Sequence, residues 1–125
     1  MIIGVGIDIV SNSRVKSIFL KYGARFLNRV FTEKEIAYCL SHDQPHQYLA
    51  ARLAVKEAVS KAFGYGIGKK FQWKNIEIGK DGGTPKVIFH NEALRVFSGL
   101  ECHCLISLSH ERDNSVALAV LESWE

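Results

Sequence analysis

The 125-residue chain has only two prolines, and no stretch of it is dominated by one residue type or one sign of charge. That excludes a linker, a low-complexity segment or a disordered tail as a major part of the molecule. Three cysteines, an odd number without framework spacing, exclude a disulfide-stapled scaffold. Cys102 and Cys104, two apart, share one face of a strand and are poorly placed to bridge each other. Reduced thiols in a cytoplasmic protein are the expectation. No run approaches the roughly eighteen apolar residues of a membrane span, and the N-terminal MIIGVGIDIV has Asp8 in it and no basic residue before it, unlike a secretory signal. A net charge of +3 is too small for a protein that lives on nucleic-acid phosphates. A soluble protein with one local basic patch is expected.

What is present suits one core. Hydrophobic residues make up 47% of the chain, and the length fits a single domain over 1–125. Ile3, Val5, Ile7 and Ile9 alternate with Gly4, Gly6, Asp8 and Val10, the period of a strand. One face is apolar; the other offers small residues and one carboxylate, so something can approach it closely. Asn12 or Ser13 is placed to cap a helix through Val15, Ile18 and Phe19 that Gly23 ends, and a short segment around Arg25 to Val30 follows. Thr32 and Glu35 form a T-x-x-E capping box opening a helix that stops before Pro45.

Gln47 to Phe63 is the longest helical pattern. Its Ala50, Ala54, Ala58 and Ala62 make a small-residue stripe at i, i+4 spacing, and Gly64 ends it. Strand signals then resume around Trp73, Ile76 and Ile78, KDGGTP is a turn before Lys86 to His90, and Asn91 to Leu100 suits a short helix. Cys102 to His110 and Val116 to Glu122, joined by ERDNS, read as an antiparallel hairpin. The order βααα-ββαββ predicts an α+β fold with a mostly antiparallel sheet around a central helix.

Few residues stand out chemically. Glu57 lies in the alanine-lined helix one turn before Lys61, either as a surface i, i+4 pair or as a functional carboxylate. Asp8, in the middle of an apolar strand, needs a partner if it is buried. Two carboxylates from separate elements suit magnesium, which completes its shell with water and substrate phosphate oxygens. Ser109 and His110 are neighbours on a strand, point to opposite faces and cannot form a local nucleophile–base pair. His103 faces away from Cys102 and Cys104, which defeats a zinc cluster. GYGIGK lacks the ending of a Walker phosphate loop. Arg14, Lys21, Arg25 and Arg29, spaced 7, 4 and 4 apart, form one basic stripe if the helical phase runs on past Gly23. Such a stripe suits water or an acidic partner.

Taken in order, GIDIV with Arg14 downstream, RFLNRVFTEKE, LAARLAVKEAVSKAFGYGIG, WKNIEI, GTP and SLSHE extend over nearly the whole chain. The set resembles the holo-[acyl-carrier-protein] synthases, the small bacterial 4′-phosphopantetheinyl transferases of fatty acid biosynthesis. The chain differs from common family choices at Ser11, Leu53 and Tyr65. The resemblance implies transfer of 4′-phosphopantetheine from coenzyme A to a serine of an acidic acyl carrier protein, releasing 3′,5′-ADP. It implies a magnesium site at Asp8 and Glu57, and Lys61, Pro85 and His110 at coenzyme A. It further implies carrier docking around Arg14, Lys21 and Arg25, and a homotrimer with sites between subunits. A metal-dependent phosphodiesterase using the same two carboxylates, and a non-catalytic basic-helix binding module, are the competing readings.

Overall fold

Strand alternation, then a run of helices, then a run of strands become, in the computed structural model, a chain described over residues 1–124. The order is β1 (Ile2–Ser11), α1 (Asn12–Tyr22), α2 (Ala24–Val30), α3 (Glu33–Leu40), α4 (Pro45–Ala62), β2 (Ile76–Asp81), β3 (Thr84–Phe89), α5 (Asn91–Gly99), β4 (Cys102–His110) and β5 (Asn114–Ser123). A 3₁₀ turn, Trp73–Asn75, precedes β2. β5 lies between β1 and β4 in an antiparallel three-stranded sheet, and β2 and β3 form a separate hairpin. The α+β expectation holds, with the segment around Arg25 to Val30 a helix in its own right. Among the described residues no helix is long and apolar enough to cross a membrane.

Gly4 and Gly6 turn toward α4, and their missing side chains are what lets it in. A Cβ on Gly6 would collide with the Ala58 carbonyl oxygen, and one on Gly4 with that of Ala62. The buried Ala54, Ala58 and Ala62 complete this backbone-to-backbone seam. The apolar row of β1 faces the other way, with Ile7 61% and Ile9 65% exposed. Alternation correctly separates two faces, but the buried one is the glycine face.

α4 is apolar on nearly every side because it is enclosed. Ala54, Ala58 and Ala62 meet the sheet, while Leu49 and Ala50 pack with Val15, Leu27, Val30 and Phe31 of the α1–α2 region. Pro45 opens it, where a missing N–H costs nothing. The cap of α1 is Ser11, whose Oγ accepts from the Arg14 N–H at 3.3 Å, rather than Asn12 or Ser13. Asn12 is buried and engaged elsewhere. Its Nδ2 donates to the carbonyls of Glu111 and Arg112, and its Oδ1 accepts from Ser115 Oγ at 2.7 Å. This amide ties the β4–β5 turn to the start of α1.

The capping box of α3 forms, with Thr32 N–H on Glu35 Oε1 at 2.9 Å and Glu35 N–H on Thr32 Oγ1 at 3.3 Å. Glu35 does more than cap. It also accepts from the wholly buried Lys56 at 2.9 Å and from the Ile78 N–H at 2.9 Å. Lys56 Nζ donates further to the carbonyls of Trp73 and Ile76. Four segments (α3, α4, the 3₁₀ turn and β2) are thereby joined at one buried ammonium. Cys39, Cys102 and Cys104 are free thiols. Burial pushes the Cys39 and Cys104 thiols up to about 12, so they act as small apolar groups.

Candidate active site

Asp8 stands on the glycine face of β1, opposite Ala117 of β5, where α4 crosses the strand. Its side chain is 17% exposed. Lys61, five residues beyond Lys56 toward the C-terminus of α4, donates to Asp8 Oδ1 at 3.0 Å and to the Ile7 carbonyl at 3.2 Å. Of the two readings of Glu57, the surface pair with Lys61 gives way to this cross-element ion pair of Lys61 with Asp8. With 49% of the Lys61 side chain exposed, the bridge is worth at most about 1 kcal/mol, and the ammonium can leave it at little cost. Glu57 is half-buried nearby. Burial first, and the Asp8 charge second, push its carboxyl above the ordinary glutamate value against the opposing pull of Lys61. Asp8 and Lys61 border a hollow of about 320 Å³ with Ile7, Ile9 and Val116.

Two carboxylates and no third ligand are what a hard divalent ion needs when most of its shell is water and phosphate. Among the described residues no group of three or more His, Cys, Asp or Glu gathers elsewhere. Lys61 already places a cation on Asp8, and Glu57, half-buried and repelled by Asp8, stands where added positive charge is favourable. The donor set therefore fits magnesium.

Pro85 and His110 meet in a second hollow, of about 250 Å³, with Tyr38, Tyr48, Arg52 and Lys80. These last four escaped the sequence reading. Arg52 offered a signal, a guanidinium inside an alanine-rich run, but Tyr38, Tyr48 and Lys80 are brought together only by the tertiary fold. Arg52 is 6% exposed, and its Nε has no hydrogen-bond partner among the described residues. Its guanidinium lies 4.2 Å from the Tyr38 ring centroid. Lys80 Nζ is 4.7 Å from the same centroid and donates to the Tyr38 hydroxyl at 3.0 Å. That hydrogen bond leads the causes that lower the Tyr38 phenol from its usual value, against burial, with the Arg52 and Lys80 charges adding to it. His42 stacks on Tyr48 at 3.6 Å, and the Tyr48 ring is 5.7 Å from that of His110.

Ser109 and His110 pair with Val116 and Ser115 in the ladder and so point to opposite faces of the sheet, as expected. His103 is on the outer face, away from Cys102 and Cys104. The basic residues divide differently from the expected stripe. Gly23, at φ +54° and ψ −125°, breaks the helix, so Arg14 and Lys21 belong to α1 and Arg25 and Arg29 to α2. Arg25 and Arg29 border a hollow of about 320 Å³ with Ile18, Tyr22 and Phe26; Arg14 and Lys21 are exposed outside it.

The geometry has counterparts. A model of the 4′-phosphopantetheinyl transferase superfamily matches residues 4–121. The chain is similar to the holo-[acyl-carrier-protein] synthase of Chlamydia trachomatis serovar L2, 46% identical over 119 residues that cover 95% of this chain and 98% of that one. Its fold matches the crystal structure of the Neisseria meningitidis holo-[acyl-carrier-protein] synthase with a TM-score of 0.90 and 34% identity, covering 98% of this chain and 100% of that one. The Helicobacter pylori holo-[acyl-carrier-protein] synthase, solved in complex with coenzyme A, matches with a TM-score of 0.83 and 31% identity over 94% of this chain and 99% of that one.

Proposed function

The chain belongs to the 4′-phosphopantetheinyl transferase superfamily, and from that premise we propose that residues 1–125 form one transferase domain. It moves the 4′-phosphopantetheine group of coenzyme A to a serine of apo acyl carrier protein, giving holo carrier protein and 3′,5′-ADP. The observation that carries the reading is the convergence of Asp8 from β1 with Glu57 and Lys61 from α4. The similarity to holo-[acyl-carrier-protein] synthases, one of them solved with coenzyme A, supports the same donor and acceptor.

The reaction needs positioning and charge neutralisation more than a protein nucleophile. The carrier serine oxygen attacks the phosphorus bearing the pantetheine. A new P–O bond forms, the P–O bond to 3′,5′-ADP breaks, and the serine proton leaves. Asp8 and Glu57 would hold magnesium, which when bound supplies neutralisation of the charge on the diphosphate. Lys61, held only loosely on Asp8, turns its ammonium to a donor phosphate oxygen. Glu57, directly or through a water, takes up the serine proton. Pro85, His110, Arg52 and Lys80 receive the nucleotide end in the second hollow.

The outer sheet face supports a homotrimer. Ile3, Val5, Ile7 and Ile9 of β1, Leu118 of β5 and Leu105 of β4 form a broad exposed apolar surface, of the kind that marks an interface. Ile7 and Ile9 belong both to that surface and to the Asp8 hollow, so a neighbouring subunit seated there would wall the site. The carboxylate hollow of one subunit then works with the cationic hollow of the next. Arg14, Lys21, Arg25 and Arg29 receive the acidic carrier. Free thiols suit a cytoplasmic enzyme of fatty acid biosynthesis.

The test is direct. The protein, coenzyme A, apo acyl carrier protein and magnesium are mixed, and the carrier is weighed by mass spectrometry. One added phosphopantetheine, lost on chelating the metal and on Asp8→Asn or Glu57→Gln, is expected. An unchanged carrier mass under every metal condition would refute the transferase reading.

A further inference from the structure

The turn between β4 and β5, residues 111–113, contains neither glycine nor proline to set its course. Across it the Glu111 N–H donates to the Asn114 carbonyl at 2.9 Å. The stronger constraint comes from outside. Asn12, 1% exposed, gathers three successive carbonyls of the turn. Its Nδ2 donates to Glu111 at 2.7 Å and to Arg112 at 3.1 Å, and its backbone N–H donates to Asp113 at 2.9 Å. Both side-chain amide protons are thereby used. Its Oδ1 accepts from the wholly buried Ser115 hydroxyl at 2.7 Å, which fixes the end of the amide that faces the turn.

This junction joins two parts of the molecule. Asn12 is the first residue of α1, and the Asp113 carbonyl satisfies one of the N–H groups that a helix leaves open at its start. Arg14 follows two positions on. On the other side, Glu111 directly follows His110, the last residue of β4, and His110 pairs with Ser115 in the ladder. An apolar residue of the same volume would fill the space, but only the amide directs three carbonyls to one point. We propose that Asn12 is a positioning residue for both substrates: by bonding the β4–β5 turn to the first turn of α1, it sets Arg14 for the acidic carrier and His110 for the donor together. This rests on the transferase reading, which puts the carrier and coenzyme A at those two residues. Asn12 is too buried to touch either substrate and acts through the backbone on each side of it.

The experiment measures kcat, KM for coenzyme A and KM for apo acyl carrier protein with magnesium, followed by the gain in carrier mass. It compares the wild type, Asn12→Leu, Ser115→Ala and the double variant. Asn12→Leu keeps the volume and removes the three side-chain hydrogen bonds. Both KM values rise by about tenfold, while kcat stays within about threefold of wild type. Ser115→Ala releases the orientation of the amide and raises both KM values by about threefold; added to Asn12→Leu it changes nothing more. A merely structural role would lower the folded fraction, so that kcat per total protein falls and both KM values stay at wild type. That result overturns the inference, as does a rise in one KM alone. If Asn12→Leu fails to fold, Ser115→Ala decides by the same criterion. Wild-type transfer with unmoved KM values in the variants overturns only the role of Asn12, whereas a wild type that transfers nothing refutes the transferase reading and this inference with it.

Discussion

Lys56 sits beside Glu57 in sequence but faces the opposite way, and replacing it tests what holds α4 in place. Lys56→Met retains most of the aliphatic stem and the volume, and removes the ammonium. Glu35 then keeps two backbone donors, from Thr32 and Ile78, and loses the ammonium of Lys56. The carbonyls of Trp73 and Ile76 lose a donor as well. Breaking a fully buried ion pair from one side costs about 3–5 kcal/mol, a large share of the roughly 5–15 kcal/mol that stabilises a domain. Glu35→Gln strands the ammonium and costs a comparable amount. The double variant removes both charges, so its cost falls below the sum of the singles by about 2 kcal/mol or more. Urea denaturation at one fixed protein concentration measures all three, with an unchanged dependence on urea confirming that the same surface unfolds. If the single costs add to the double within about 0.5 kcal/mol, Lys56 and Glu35 do not act as a pair and the assignment fails.

Three further outcomes follow from features described above. Gly6→Ala drives a methyl into the Ala58 carbonyl, so stability should fall by about 2 kcal/mol or more; turnover should drop by about a hundredfold as Asp8 shifts against α4, and a variant as active as wild type in the carrier mass assay would contradict the seam. Burial pushes Glu77 up, but hydrogen bonds from His90 and Thr32 and nearby positive charge outweigh it, leaving the carboxyl below the ordinary value. The stability this confers is complete above the unfolded glutamate value of about 4.3 and is lost as pH falls through the lower folded one. The advantage of wild type over Glu77→Gln in thermal melts should therefore be full near neutrality and shrink in acid; a constant gap would contradict it. For Arg25, the carrier KM should rise with salt as screening shortens, and Arg25→Glu should raise that KM and flatten its salt dependence; a KM indifferent to salt would remove the basic surface from carrier docking.

Local rules carried the sequence reading furthest where one segment decides its own state. The Thr32–Glu35 capping box, the hairpin after Cys102 and the alanine stripe of α4 are of this kind. Patterns that depend on a partner were less legible. Alternation in β1 separates two faces but is silent on which is covered, and the covered one has almost no side chains. The basic stripe assumed a helical phase that the backbone at Gly23 interrupts. Lys61 and Glu57 have the spacing of a surface pair, yet a carboxylate 53 positions earlier takes the lysine. In the same way Lys56 and Arg52 look like solvent-facing charges of a helix until the segments around them are folded into place.

At Gly4 and Gly6 the contact between β1 and α4 sets main chain against main chain. A gap filled by side chains widens or narrows with every substitution, whereas one closed by main-chain atoms has a width that covalent geometry alone dictates. The aliphatic core around it can exchange one residue for another over many generations. Across that seam, the spacing of the two carboxylates stays where the peptide bonds put it.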